Sequence, residues 1–275
     1  MKAFQKLLIL GSGKMGGSLL KGLTSNNELN FDISVVEPNL IKDNYNLISA
    51  NKIKHYQSIN DLKETDFDTV LFAVKPQVIS EVCLGVLENL DQKKIFSIIS
   101  ILAGTKVETF ESYFGLSPII RAMPNLAVSE GSGVTALYGN NNVNKAFKET
   151  TDKIFSGVGE VIWVDNEDMM DVVTSTSGSG PAYYFFLTEC LSLIAEEMGL
   201  SKENADKLSR QVAIGSSDIM KSSNDSLPSL REKVTSKGGT TEAALKVLMS
   251  PDKEFYNIFK KAIREAYKRS KDLSN

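Results

Sequence analysis

Short strand-like segments alternate with helix-like segments through the first 164 residues, and the strand-like segments then stop. Each apolar, β-branched run is too short to be a helix and is therefore predicted to be a buried strand. The predicted strands are Lys6–Leu10, Ile33–Val36, Val70–Val74, Ile95–Ser100, Ile119–Met123, Val134–Tyr138 and Val161–Val164. Because strands that alternate with helices usually form parallel sheets covered by those helices, we expect an α/β domain over residues 1–164.

From residue 165 to 275 the sequence predicts helices only, so we expect a second, all-α domain there. Three acidic residues suit the start of its first helix: Glu167, Asp168 and Asp171. A break rich in serine and glycine is expected at Ser175–Gly180. A helix over Pro181–Met198 should follow, with Pro181 at an early position and Gly199 as its C-terminal cap.

The helix predicted over Pro181–Met198 is apolar nearly all round. Its large apolar side chains are Tyr184, Phe185, Phe186, Leu187, Leu191, Leu193 and Ile194. A helix of this kind must be covered on every side, which a small α-domain achieves most easily by packing against a second copy of itself. We therefore predict a homodimer.

Composition excludes several classes of partner. The net charge is 31 − 34 = −3, without a basic stripe, so no nucleic-acid partner is expected. The longest apolar runs are far too short to span a membrane, and the run Leu7–Leu10 is too short for the core of a signal peptide. A cytoplasmic protein is therefore expected.

Histidine and cysteine are scarce, which limits the chemistry. The one histidine is His55, in a segment, Ile53–Gln57, that is typical of a short alternating edge strand, where we expect an ordinary surface role. The two cysteines, Cys83 and Cys190, lie far apart, so neither a redox pair nor a thiolate metal site is expected. The chain therefore lacks the central residue that histidine-based hydrolases and zinc enzymes usually need, and we expect no metal.

A glycine-rich sequence, Gly11-Ser12-Gly13-Lys14-Met15-Gly16, follows the first predicted strand and leads into a helix from Met15 to about Leu23. Gly11 would allow the tight turn, Gly13 would let the backbone approach a pyrophosphate, and Gly16 would let helix and strand pack closely. Glu37 ends the next strand 21 positions after Gly16, where an acid commonly binds the adenosine ribose. The pattern favours dinucleotide binding over a purely structural turn.

Glu37 also bears on the choice between NADH and NADPH. A carboxylate favours the free 2′-hydroxyl of NADH and repels the 2′-phosphate of NADPH. Lys42 could offset this charge, so both cofactors stay open, with a preference for NADH.

A second distinctive segment, Val234–Leu245, brings hydroxyl side chains and a glycine pair to the start of a helix. A helix start exposes backbone N–H groups and carries partial positive charge, so it suits a carboxylate ligand. The alternative is purely structural, with Thr240 as the N-cap and Gly238-Gly239 as a turn.

Five segments together resemble the pyrroline-5-carboxylate reductase family, in order and over nearly the whole chain. They are GSGKMG at Gly11–Gly16, AVKPQ at Ala73–Gln77, RAMPN at Arg121–Asn125, SGSGPAY at Ser177–Tyr183, and the segment Val234–Leu245. The resemblance implies reduction of L-1-pyrroline-5-carboxylate to L-proline by NADPH or NADH, the last step of proline biosynthesis. It also implies a Rossmann domain followed by a helical dimerisation and substrate-binding domain, often assembled into decamers.

The resemblance also implies roles for particular residues. Contacts to the cofactor are implied for Ser12, Lys14, Met15, Asn60, Ala73, Val74, Lys75, Pro76 and Ala103. Binding of the substrate is implied for Ser236, Gly239, Thr240 and Thr241, with Ser236 and Thr241 as catalytic candidates. Thr241 corresponds to the threonine beside the ring nitrogen, where a hydroxyl can donate a hydrogen bond or relay a proton.

The chain departs from the family pattern at three places. Lys237 replaces a usual proline, and Glu37 replaces a small or polar residue. Where many members have a glutamate near the substrate, this chain has Asn224 and Asp225, and the sequence does not decide between them. Two other functions stay open: a reductase of another small cyclic imine or keto acid, and a non-catalytic dinucleotide sensor.

Overall fold

The computed structural model describes residues 5–25, 31–91 and 96–273. Within them, eight strands form one sheet in the order β3-β2-β1-β4-β5-β6-β7-β8. The strands are β1 (Gln5–Leu10), β2 (Phe31–Val36), β3 (Lys54–Tyr56), β4 (Thr69–Phe72), β5 (Ser97–Ser100), β6 (Ile119–Met123), β7 (Gly133–Gly139) and β8 (Gly159–Trp163). All neighbouring strands are parallel except β6 and β7. The predicted, mainly parallel sheet is confirmed.

The helices follow the order expected from the sequence. Those between the strands are α1 (Lys14–Ser25), α2 (Lys42–Ala50), α3 (Ile79–Asn89), α4 (Val107–Phe114) and α5 (Lys145–Ser156). Those after the last strand are α6 (Met169–Val173), α7 (Gly180–Glu197), α8 (Lys202–Ser222), α9 (Leu227–Lys233), α10 (Thr240–Leu248) and α11 (Glu254–Leu273). The predicted all-helical second half is therefore confirmed.

The central strand β1 is buried on both faces of the sheet. Leu7 and Ile9 belong to one apolar core, and Leu8 and Leu10 belong to the core on the opposite face. Successive side chains of a strand point to opposite faces, so a strand covered by helices on both sides must be apolar at every position. This requirement explains the continuous run Leu7–Leu10.

Several predicted strand bounds shift by a few residues. The strand predicted over Val70–Val74 ends at Phe72, which leaves Ala73 and Val74 in the connection that follows it. The strand predicted over Val161–Val164 begins earlier, at Gly159, and ends at Trp163. For the predicted strand Ile95–Ser100, residue 95 lies outside the described residues, and the observed strand is Ser97–Ser100.

The break predicted at Ser175–Gly180 is wrong for most of that segment, because Thr174–Gly178 form a wide π-helical turn that continues α6. Side-chain hydroxyls stabilise this turn, since Thr174 donates to the Met170 carbonyl at 2.7 Å and Thr176 donates to the Val172 carbonyl at 2.8 Å. A serine- and threonine-rich run can therefore continue a helix by bonding to carbonyls of the preceding turn.

The chain forms two compact units. The first comprises residues 1–179 and 267–275, and the second comprises residues 180–266. The last strand ends at Trp163, close to the predicted domain boundary after residue 164. That boundary stays a prediction, since α6 and the π-helical turn belong to the same compact unit as the sheet.

Helix α7, in the second unit, agrees with the predicted Pro181–Met198 to within one residue at each end. Pro181 is its second residue, and Gly199 follows it with a φ of +105°. Three of its aromatic side chains are exposed in the single chain, since Tyr184, Phe185 and Phe186 are each more than 60% accessible. Contiguous exposed apolar surface of this size is typical of protein–protein interfaces. No helix in the described part of the chain is both long and apolar enough to span a membrane.

Candidate cofactor and substrate sites

The turn after β1 requires glycine at its first position. Gly11 has a φ of +93°, a conformation that side chains disfavour. Its N–H donates to the Val36 carbonyl at 2.8 Å, and a Cβ at Gly11 would lie 2.7 Å from the Ala73 carbonyl oxygen. The turn therefore brings the ends of β1, β2 and β4 into direct contact.

Gly16 and Gly13 have opposite surroundings, although they belong to the same turn. A Cβ at Gly16 would lie 2.4 Å from the Gly11 carbonyl oxygen and 3.1 Å from the Ala73 Cβ. A Cβ at Gly13 would meet nothing within 4 Å. Gly16 therefore allows α1 to pack closely on the sheet, whereas Gly13 leaves open space beside the backbone.

Glu37 directly follows β2 and fixes the glycine turn from the side. Its carboxylate accepts the Ser12 N–H at 2.8 Å and the Asn39 N–H at 2.9 Å. The Ser12 carbonyl accepts a hydrogen bond from the buried Asn44 side chain on α2. Sequence reasoning missed Asn44, because an asparagine in a polar helix gives no pattern that marks it as buried.

The Ser12 hydroxyl is buried and has no hydrogen-bond partner in the described part of the structure. Buried hydroxyls are normally paired, so an unpaired one beside a ligand-binding turn indicates a missing partner. A phosphate oxygen accepts such a bond, and the N-terminus of α1 and the space beside Gly13 also suit an anion. These residues fit the pyrophosphate of a nicotinamide dinucleotide.

The other predicted cofactor residues lie at or next to the carboxyl ends of parallel strands. Lys14 and Met15 begin α1 after β1, and Asn60 lies in a short helical turn after β3, with its side chain accepting from Asn89 at 3.0 Å. The residues that follow β4 are Ala73, Val74, Lys75 and Pro76. The exposed Ala103 follows β5. Ligands of α/β sheets bind at this edge.

His55 lies in β3 at the edge of the sheet, as predicted. Its ring Nε2 is 2.9 Å from the Glu37 carbonyl oxygen. This contact gives the histidine a structural role, since it joins β3 to the residue that fixes the glycine turn.

In the second unit, α10 begins at Thr240, and its N-cap is Gly239. The structural alternative with Thr240 as N-cap is therefore wrong, because Thr240 is already helical. A Cβ at Gly239 would lie 2.5 Å from the Ser236 hydroxyl oxygen, so the loop and the helix start are in close contact.

Glu242, a residue of α10, fixes the loop that precedes this helix, a role that sequence reasoning missed. Its carboxylate accepts the Gly238 N–H at 2.6 Å, and Lys246 lies 3.8 Å from it on the same helix. The N–H groups of the first turn, which include those of Thr240 and Thr241, have no partner within an α-helix. The segment therefore presents donors and hydroxyls beside one another.

Asn224 and Asp225 precede α9 and differ in their contacts. Asp225 accepts from the Ser223 hydroxyl at 2.8 Å and from the Lys233 ammonium group. The bond from Lys233, followed by that from Ser223, lowers the pKa of Asp225. Asn224 is exposed. Which of the two faces the substrate stays a prediction.

The glycine turn, the acid after β2 and the carboxyl edge of a parallel sheet together define the class of nicotinamide-dinucleotide oxidoreductases. A family model described as NADP oxidoreductase, coenzyme F420-dependent, matches residues 6–104. A second model, for pyrroline-5-carboxylate reductase dimerisation, matches residues 167–273.

Individual relatives match the chain over almost its full length. Pyrroline-5-carboxylate reductase of Pseudomonas aeruginosa is 33% identical over 270 residues, which are 98% of this chain and 97% of the relative. A solved pyrroline-5-carboxylate reductase from Coxiella burnetii, 34% identical, superposes with a TM-score of 0.89 over 99% of this chain and 100% of that chain. The NADP-bound enzyme of Plasmodium falciparum, 27% identical, gives 0.80 over 98% of each chain. The chain belongs to the pyrroline-5-carboxylate reductase family.

Proposed function

We propose that this chain reduces L-1-pyrroline-5-carboxylate to L-proline with NADPH or NADH, the last step of proline biosynthesis. The observation that carries the proposal is the match to pyrroline-5-carboxylate reductases along both the cofactor and the helical halves of the chain. The structure supports it through a dinucleotide-compatible turn in the first unit and a helix start rich in donors in the second.

The cofactor half of the site is assigned to the glycine turn and its neighbours. Gly11, Gly13 and the N-terminus of α1 would hold the pyrophosphate, with the Ser12 hydroxyl donating to it. Glu37 and Asn60 would contact the adenosine half, and Ala73 to Pro76 would line the cofactor's path along the sheet edge, with Ala103 near the nicotinamide. The bound cofactor supplies the hydride that, with one proton, converts the C=N bond into CH–NH.

The substrate half is assigned to the segment that begins α10. The backbone N–H groups at its first turn, with Ser236 and Gly239, would hold the substrate carboxylate, because a helix N-terminus favours negative charge. The Thr241 hydroxyl would donate a hydrogen bond to the ring nitrogen or relay a proton to it from water. Positioning of this kind accelerates hydride transfer without a histidine or a metal.

Glu37 favours NADH over NADPH in this proposal. Its carboxylate is fixed by two backbone N–H groups, so the negative charge cannot easily turn away from an incoming 2′-phosphate. Glu37→Gln should therefore raise the ratio of kcat/KM for NADPH over NADH by at least about tenfold, or 1.4 kcal/mol, since like charges in contact repel each other. An unchanged ratio would remove Glu37 as the determinant.

The direct test is oxidation of NADH and of NADPH, followed at 340 nm, with purified protein and L-1-pyrroline-5-carboxylate. Turnover is expected with both. Protein that binds the cofactor but does not turn over this substrate would favour another cyclic imine, a keto acid or a sensor role, and the same assay with those substrates separates the three.

Thr241 is tested with two variants of the same position. Thr241→Ala should lower kcat by about a hundredfold while cofactor affinity stays unchanged, in line with the typical contribution of a positioned proton donor. Thr241→Ser keeps the hydroxyl and should retain most of the activity. Equal loss in both variants would contradict a role for the hydroxyl.

The assembly and location form part of the same proposal. A homo-oligomer is supported by the match to a dimerisation model over residues 167–273 and by the exposed aromatic side chains of α7. We place a homodimer at its base, with a decamer as the larger form, and the protein in the cytoplasm. Sedimentation velocity would distinguish a dimer from a decamer.

A further inference from the structure

Helix α11 is anchored near its C-terminal end. It is exposed or half-buried over most of its length, and Ser270 is its buried residue. The Ser270 hydroxyl donates to the Asp171 carboxylate on α6 at 2.6 Å, and both residues are at least 94% buried. A hydrogen bond to a buried charged group is among the stronger ones in proteins.

The last residues of α11 also contact the connection between β5 and α4, residues 101–106, here called the β5–α4 loop. A Cβ at Gly104 would lie 2.7 Å from the Leu273 carbonyl oxygen, and Gly104 has a φ of +74°. The loop can therefore approach the end of α11 this closely only with glycine at this position.

The other end of the β5–α4 loop is fixed by a residue that lies just before α6. Glu167, two residues before α6, accepts the Val107 N–H at the start of α4 at 2.8 Å. The same carboxylate oxygen accepts from the Arg121 guanidinium at 3.0 Å, and the Arg121 side chain is only 4% exposed. The segment that binds Ser270 through Asp171 thus also fixes the point where the loop enters α4.

We propose that the last turn of α11 positions the β5–α4 loop for hydride transfer, with Ser270 and Gly104 as positioning residues. This inference rests on the proposed function, in which Ala103 of this loop lies on the nicotinamide side of the cofactor. Asp171 fixes Ser270, and the end of the helix then limits where Gly104, and with it Ala103, can lie. The adenosine half of the cofactor is held by other elements and does not depend on this contact.

Ser270 is tested by comparing Ser270→Ala with Ser270→Thr. The alanine variant should lower kcat by about tenfold, because small displacements of a reacting pair slow the chemical step strongly. The dissociation constant of the dinucleotide should stay within about twofold, since its pyrophosphate contacts are unchanged. The threonine variant keeps the hydroxyl and should restore kcat.

An isotope effect separates positioning from general loss of structure. With a cofactor deuterated at the transferred position, the effect on kcat should rise in Ser270→Ala, because hydride transfer then limits the rate more fully. A lower melting temperature with unchanged kcat and unchanged isotope effect would overturn the proposal.

Gly104 is tested against a control glycine at the other end of α4. Gly115 has a φ of +57° and no atom within 4 Å of its Cβ position, so Gly115→Ala also places a side chain at a positive φ but without a steric contact. Gly104→Ala should lower kcat, whereas Gly115→Ala should lower only stability. Equal kcat values in the two variants would contradict the inference.

Hydrogen exchange keeps this test separate from the proposed function. If the unaltered protein does not reduce pyrroline-5-carboxylate, the proposed function fails, and amide exchange of the β5–α4 loop, residues 101–106, still decides the positioning role. Faster exchange of this loop in Ser270→Ala than in the unaltered protein supports the role of the Ser270–Asp171 hydrogen bond in positioning the loop. Unchanged exchange overturns it.

Discussion

Two glycines of the same turn should respond in opposite ways to the same substitution. Gly16→Ala places a methyl group 2.4 Å from the Gly11 carbonyl oxygen, which belongs to the backbone and cannot swing aside. Such overpacking costs about 3 kcal/mol, the upper end of the usual range, because the backbone contact cannot relax, and the better helix propensity of alanine returns about 1 kcal/mol. A net loss of about 2 kcal/mol lowers the melting temperature of a chain this long by about 4 °C.

Gly13→Ala should leave the fold intact, because the added Cβ meets nothing within 4 Å. Its stability should stay within about 0.5 kcal/mol of the original, as for ordinary surface substitutions. The methyl group would instead occupy the space that the pyrophosphate needs, so the dissociation constant of the dinucleotide should rise at least about tenfold, or 1.4 kcal/mol.

Thermal melts without ligand and fluorescence titrations with NADH measure the two effects separately. Both variants change glycine to alanine within four residues, so each serves as the control for the other. The reasoning is refuted if Gly13→Ala melts lower than Gly16→Ala, or if Gly13→Ala binds NADH as well as the unaltered protein.

Three further predictions concern charges and a buried thiol. Glu167→Ala should lower the free energy of unfolding, measured in urea, by about 3–5 kcal/mol, because it leaves the buried Arg121 unpaired. Arg121→Met should lower it clearly less, and equal losses in the two variants would contradict this reasoning. Lys233 lowers the pKa of Asp225 below its usual value of 3.8. The pairing of the two side chains should therefore stabilise the fold above pH 3.8, and this stabilisation should be lost as the pH falls through the lower pKa of the folded state. Lys233→Met should return the pKa of Asp225 toward 3.8 in an NMR titration. Burial raises the pKa of Cys83 to about 12, so mass spectrometry should find it alkylated only after unfolding; rapid labelling of folded protein would argue against its burial.

The features that could be predicted from the sequence depend on local patterns. The bounds of β6 agree at both ends with the predicted Ile119–Met123, because its apolar residues begin after Pro118 and end before Pro124, although Arg121 interrupts them. The edge position of His55 followed from a short alternating segment. The turn at Gly11 was visible because its glycines recur at a fixed spacing between strand and helix.

The features that could not be predicted depend on contacts between distant residues. Asn44 reaches Ser12 across 32 positions, and nothing in the sequence around either residue marks that pair. The sequence predicts a break at Ser175–Gly180, since serine and glycine commonly end helices, whereas the structure has a π-helical turn at Thr174–Gly178. Only the geometry of the preceding turn decides whether such hydroxyls end a helix or continue it.

The placement of residues 267–273 has a consequence for how the protein is made. These residues are synthesised after every strand of the sheet, yet they belong to the compact unit that contains β1. Domains generally begin to fold while synthesis continues, but Asp171 cannot bind Ser270 until the chain up to Ser270 has been made. A fragment that stops at Ser179 would remove Ser270 from this buried carboxylate, so a fragment that keeps the contact must extend through residues 267–273.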